Sequence, residues 1–157
     1  MSKTAKPLPP VRKSITVHAS PKYAFDVFTA GMNNWWPAEF TPFPREAIVI
    51  EPKRGGRWFE KGTEGSEGNT GKVIDWQASD RIVLGWQLNG QWQFDPDLVT
   101  ELEVRFRTDG NGGTIVDLEH RDLERLGDMA DATYAVFNGG EGWSALLTRY
   151  ATAVKGE

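Results

Sequence analysis

The chain contains no cysteine, so it can form no disulfide, bind no zinc or iron–sulfur cluster through thiolates and offer no thiol nucleophile. A cytoplasmic location is expected on that ground. Histidine is almost as scarce, with only His18 and His120. Two imidazoles far apart in sequence, without a spaced carboxylate pair, make no metal signature, and neither a metal nor any other cofactor is expected. Positive charge is not in excess: 22 acidic residues against 18 Lys and Arg give a net charge of −4, which excludes a dedicated phosphate-neutralising surface and hence a nucleic-acid partner. No apolar run approaches the roughly 20 residues that span a bilayer, and the first residues carry bases and prolines but no apolar signal core, so neither membrane insertion nor signal-peptide export is expected. Catalytic motifs are missing as well. Ser144 lies in Gly-Trp-Ser-Ala and not in a Gly-x-Ser-x-Gly elbow, and the glycine-rich stretch 62–71 lacks the Lys-Ser ending of a phosphate loop. No catalytic residue is assigned.

What the chain does have is a composition suited to one hydrophobic core. Its 157 residues, 39% hydrophobic and 25% charged, fit a single soluble domain that hides about 70% of its unfolded surface. Pro7, Pro9 and Pro10 mark residues 1–10 as a flexible tail, leaving 11–157 as the domain. Alternation predicts a strand from Val11 to His18. Ser20-Pro21 then supplies an N-cap and first turn for a short amphipathic helix carrying Ala24, Phe25, Val27 and Phe28, and Met32–Trp36 forms a second short helical turn. Period-two patterns predict strands at 47–51, 56–61, 72–77, 81–88, 98–107 and 114–121. A further hairpin is expected at Asn89-Gly90, a dipeptide suited to the two positive φ angles of a tight turn. Trp143, Leu146, Leu147, Tyr150 and Val154 recur at helical spacing after Asn138-Gly139-Gly140 and give a C-terminal amphipathic helix. The fold class is therefore α+β: a curved antiparallel sheet of about seven strands around a long C-terminal helix, with two short helices after strand 1. The strand acids Glu101, Glu103, Asp117 and Glu119 are expected to pair across strands with Arg105, Arg107 and Arg121.

Several short motifs keep this order: Gly55-Gly56 before an aromatic strand, Gly71-Lys72-Val73 followed by Arg81-Ile82-Val83-Leu84-Gly85-Trp86, Gly113-Thr114 leading to Leu118-Glu119-His120, and Gly142-Trp143 opening the last helix. With the Trp35-Trp36 pair, they resemble the Hsp90-ATPase-activator-homologue family of the START-like or Bet v 1-like (SRPBCC) superfamily, from about residue 12 to residue 154. The resemblance implies the helix-grip fold, with a hydrophobic cavity between the sheet and the last helix. It also implies candidate functions. Relatives in the superfamily bind lipids, sterols or polyketides, or cyclise them, and the eukaryotic co-chaperone joins this module to a second domain.

Seven Trp and eight Phe exceed what an ordinary core of this size needs, and some are expected to line that cavity. The candidates are Trp35, Phe40, Trp58, Trp86, Phe106, His120, Phe137 and Trp143, with Trp86, Phe106, Phe137 and Trp143 as its border. Trp58 and Phe59 point to opposite faces of one strand, so at most one of them faces inward. His120 shares strand parity with Val116 and Leu118. A buried histidine satisfied by a neighbour is the commoner arrangement, and a polar anchor for a ligand is the sharper one. The expected partner is a small apolar or aromatic ligand. The alternatives are a cyclase or isomerase acting on a polyketide-like or lipid molecule, with His120 and a carboxylate as acid and base, and a single-domain co-chaperone-like interaction protein. A homodimer and a chaperone partner are left open.

Overall fold

Ser20 shows how directly the local sequence rules are obeyed: its hydroxyl accepts a hydrogen bond from the Tyr23 amide at 3.2 Å, and Pro21 occupies the first turn of the helix it caps. A computed structural model gives the architecture and describes residues 7–156. Strand β1 (Val11–Val17) is followed by helix α1 (Pro21–Phe28) and two single 3-10 turns, Met32–Asn34 and Ala38–Phe40. Strands β2 (Arg45–Ile50), β3 (Arg57–Gly62), β4 (Glu67–Gln77), β5 (Arg81–Trp86), β6 (Thr100–Thr108) and β7 (Thr114–Arg121) come next. The chain closes with a 3-10 stretch (Leu123–Met129), helix α2 (Ala130–Asn138) and helix α3 (Trp143–Lys155).

The seven strands form one antiparallel sheet in the order β1-β7-β6-β5-β4-β3-β2. Its concave face buries Ile82, Leu84, Leu102, Val104, Phe106, Val116 and Leu118 against α1 and α3. All five stripe residues of α3, from Trp143 to Val154, are buried. Tyr150 locks α3 to α1 by donating its hydroxyl to the Ala24 carbonyl at 2.7 Å, and burial pushes its pKa up. The convex face carries the expected ion pairs, with Glu101, Glu103 and Glu119 around Arg121 and with Asp117 on Arg107.

The structure corrects the sequence reading in two places. No strand forms after Asn89-Gly90, where Leu88 and Phe94 make only an isolated bridge. Strand β5 is already paired with β4 and β6, so no ladder position is open for an extra strand. Instead the Asn89 side chain accepts the Gln91 and Gln93 amides at 2.9 and 3.0 Å, and the positive φ falls on Trp92. Helix α2 was not anticipated, because only Ala130 and Phe137 of its nine residues are buried. Residues 1–6 of the expected tail lie outside the described residues. Beyond them, Leu8 packs against the core and donates its amide to Glu124 at 3.2 Å.

Candidate ligand-binding cleft

Between α3 and the part of the sheet that carries Phe106 there are side chains, where the sequence reading expected space. Phe25, Phe28, Trp35, Phe106 and Tyr150 meet there mostly edge-on, with ring centroids 5.0 to 5.7 Å apart. The open volume is displaced toward one end of the grip. A cleft of about 470 Å³ is walled by Phe40, Trp86, Trp92, Val136, Phe137, Trp143 and Leu146, with Glu39, Glu141 and Gly142 completing its lining.

Two glycines build this end. Gly71 lies between Trp58 and Trp86 in the register of β3, β4 and β5. A Cβ there would stand 1.7 Å from the Gly85 carbonyl oxygen and 3.3 Å from the Trp58 ring. With no side chain between them, the two indoles meet at 5.8 Å, and Trp58 supports from beneath the floor that Trp86 forms, without lining the cleft itself. Gly142 links α2 to α3, and a Cβ there would sit 2.4 Å from the carbonyl oxygens of Val136 and Phe137. That close turn brings Phe137 and Trp143 to 6.4 Å from each other as two walls of the cleft.

His120 lies behind these walls and is fully buried. The Trp143 indole N–H can only donate, so at 3.1 Å it fixes His120 Nδ1 as the acceptor. Nε2 then carries the ring proton and donates it to Thr100 Oγ1 at 2.8 Å, and the Thr100 hydroxyl reaches the Trp86 carbonyl at 3.4 Å. Phe137 stacks on the imidazole at 5.2 Å. Burial pushes the His120 pKa down to about 3, so the ring is neutral near pH 7. It has no carboxylate partner among its hydrogen bonds and does not line the cleft.

A buried polar cluster fixes the opposite wall. Arg45 donates to the Pro37 carbonyl and to Thr41 Oγ1 at 3.0 and 2.9 Å, Thr41 hydrogen-bonds Glu60, and Arg45 and Glu60 approach within 3.7 Å. Burial is the main influence on both groups, raising the Glu60 pKa and lowering that of Arg45. The cluster holds the segment that carries Trp36 and Phe40 against β2 and β3.

Of the eight sequence candidates, the structure gathers Phe40, Trp86, Phe137 and Trp143 at the cleft. The other four are elsewhere. Trp35 is buried and donates its indole N–H to the Val27 carbonyl at 2.9 Å. Trp58 lies beneath Trp36 and Trp86. Phe106 packs between Phe25 and Phe28 toward the far end of the sheet, about 20 Å along β6 from Thr100, the residue opposite Trp86. As expected, Trp58 alone of its pair joins the core, while Phe59 is capped by the Arg57 guanidinium at 3.9 Å. Sequence reasoning did not select Trp92, Val136, Leu146, Glu39 or Glu141 as cleft residues. The one signal for Trp92 was its place just after Asn89-Gly90. Among the described residues, no three His, Cys, Asp or Glu side chains gather where they could hold a metal, and no helix is long and apolar enough to cross a membrane.

The comparisons agree with the fold. Residues 18–155 match the family model described as Activator of Hsp90 ATPase homolog 1-like protein. No curated protein matches the chain. Among solved structures, the chain is similar to an anthrahydroquino-γ-pyrone synthase, Txn09, complexed with SUM, at 36% identity and a TM-score of 0.66, covering 93% of this chain and 97% of that one. It is equally similar to CalC, a self-sacrificing resistance protein from Micromonospora echinospora, at 35% identity and a TM-score of 0.68, with 94% and 95% covered. The Aha1 dimer from Colwellia psychrerythraea shares the fold at 16% identity and a TM-score of 0.62, with 94% and 96% covered. From the match over residues 18–155 and the helix-grip architecture together, the chain belongs to the family of activator of Hsp90 ATPase homolog 1-like proteins.

Proposed function

We propose that the protein binds a planar, polycyclic aromatic small molecule in the cleft between β5, α2 and the start of α3. The observation that carries this reading is the cleft itself: about 470 Å³ of open volume with Phe40, Trp86, Trp92, Phe137 and Trp143 in its walls. Pockets of roughly 300 to 1,000 Å³ with apolar and aromatic walls are the usual sites for small ligands. Trp92, 37% exposed, and the half-buried Phe40 are the aromatic walls with ring surface open to a flat molecule, and Trp86 and Trp143 back them from the buried side. The similar structure of an anthrahydroquino-γ-pyrone synthase, at 36% identity, supports a ligand of this kind.

The synthase favours a second reading, in which the bound molecule is cyclised or isomerised. The acid–base pair would then be sought in Glu39 and Glu141, the titratable side chains that line the cleft. His120 with a carboxylate is no longer a candidate pair, since both its nitrogens are engaged by Trp143 and Thr100. The co-chaperone reading has the family description behind it and the homodimer reading a dimer of 16% identity, a likeness that concerns the fold.

The test is a titration of 1,8-dihydroxyanthraquinone into the purified protein, followed by quenching of tryptophan emission. Saturable quenching is expected, because the probe would lie against several indoles. Quenching no greater than that of free tryptophan at the same probe concentration would end the ligand-binding reading.

A further inference from the structure

Trp92 is the most exposed aromatic wall of the cleft. Its φ of 66° lies in the left-handed region, which a bulky side chain rarely adopts. The residue is 37% exposed, and its ring rests edge-on against Trp86 at 5.3 Å and Phe40 at 5.2 Å. The indole N–H is fastened by one hydrogen bond, donated to the Phe40 carbonyl at 3.1 Å. The loop backbone is closed by hydrogen bonds from the Trp92 amide to the Asn89 carbonyl at 2.9 Å, from the Asn89 amide to the Gln93 carbonyl at 2.8 Å and from the Asp95 amide to the Gln87 carbonyl at 2.8 Å, so the freedom that remains lies in the Trp92 side chain.

On the other side of Trp92 lies a second, smaller cleft of about 160 Å³, whose lining includes Asn89, Gly90, Met129 and Thr133. Trp92, Val136 and Phe137 line both clefts, so the indole stands between them as a partition. The two compartments differ in chemistry. The larger is aromatic, whereas the smaller offers the Thr133 hydroxyl and the Asn89 amide beside the Met129 thioether. A cavity near 150 Å³ accommodates one six-membered ring.

We propose that Trp92 is the size-selecting partition of the binding site. In its seated position it confines a ligand to the aromatic compartment. Swung away from Trp86 and Phe40, it joins the two compartments and admits a polycyclic aromatic bearing one further hydroxylated six-membered ring, such as a sugar. This inference rests on the ligand-binding reading. In the wild type, a ring-extended ligand must draw on the fraction of molecules whose partition is displaced, and its apparent affinity is reduced by that fraction.

The experiment compares 1,8-dihydroxyanthraquinone with its mono-glucoside by tryptophan quenching, in the wild type and in Trp92→Gly and Trp92→Asn. Both replacements suit a positive φ. The ratio of glucoside to aglycone affinity should rise at least tenfold in each variant. Adding Ala132→Phe, on an exposed position that lines only the smaller compartment, should reverse the gain. If both probes weaken in parallel, the partition is refuted while the cleft stands as the binding site. If neither probe binds the wild type, the ligand-binding reading falls and the partition with it. Circular dichroism reports folding, and should Trp92→Gly fail to fold, Trp92→Asn decides the comparison by the same ratio.

Discussion

The Trp143 indole donates its hydrogen bond to Nδ1 of His120 at 3.1 Å, and this contact separates the histidine from the site it supports. Trp143 presents one side of its ring system to the cleft and turns its N–H inward. The imidazole answers with a fixed tautomer and passes its own proton to Thr100. His120 thus positions two cleft walls, Trp86 and Trp143, without reaching a ligand.

That role has a pH signature. The native ring stays neutral down to a pKa of about 3, while the unfolded chain protonates it near 6.5, so the unfolded state binds the extra proton between these values. Stability is therefore lost as the pH falls below about 6.5. In urea titrations, the wild type should lose its advantage over His120→Phe by about 2 kcal/mol between pH 7 and 5. At pH 7 the variant should be the less stable, because Trp143 and Thr100 lose their partner. A gap between the two proteins that does not change with pH would refute the buried neutral histidine.

Glu103 governs the more acidic range. Burial alone would raise its pKa, but hydrogen bonds from Arg81 and Arg121 and the nearby Arg105 charge bring it down to about 2. The native carboxylate holds its charge where the unfolded one has lost it, so this stabilisation is complete above about pH 5 and fades as the pH falls toward 2. Glu103→Gln should cost about 3 kcal/mol at pH 6, leaving three guanidinium groups around a neutral side chain. Its deficit relative to the wild type should roughly halve between pH 5 and 3, measured by chemical denaturation in the same buffers. A deficit that stays constant would show that packing and not charge is lost.

Gly71 tests the floor. A methyl group at this position would overlap the Gly85 carbonyl oxygen at 1.7 Å, and β4 would have to separate from β5 to admit it. Gly71→Ala should therefore cost on the order of 3 kcal/mol or more, at the upper end of overpacking effects. It should also change the near-ultraviolet dichroism of the Trp58–Trp86 pair. An unaltered melting temperature would contradict the close approach of the two strands.

The sheet and α3 were legible in the sequence because each has one buried face and a clean period. In β7, Val116, Leu118 and His120 alternate with half-exposed residues, and the α3 stripe matches the buried set residue for residue. Parity assigns a side chain to a face, however, and says nothing of its position along that face. Trp86 and Phe106 share the concave side at opposite ends, and only the register of β5 on β6 shows that one of them walls the cleft and the other fills the core. Helix α2 hid for a different reason. Its exposed Val136 and buried Phe137 are adjacent, and two buried positions make no stripe. Without α2 the cleft has no outer wall, so the sequence reading kept the cavity that the family resemblance implies, between the sheet and the last helix.

Binding and stability separate on that outer wall. Val136 is 63% exposed and lines the cleft, so replacing it removes little core packing. Val136→Asp should shift stability by no more than about 0.5 kcal/mol, as surface substitutions do. An aromatic ligand seated against it would have to desolvate the new carboxylate, which is costly without a partner. The affinity for 1,8-dihydroxyanthraquinone should fall at least tenfold. Trp143→Phe reads the opposite quantity: it strips His120 Nδ1 of its donor in a fully buried site and should cost about 1 to 3 kcal/mol of stability. Calorimetric melting of both variants beside the quenching titration checks the pair. If Val136→Asp binds the probe as the wild type does, the ligand does not sit between α2 and Trp86, and the site must be sought elsewhere on the fold.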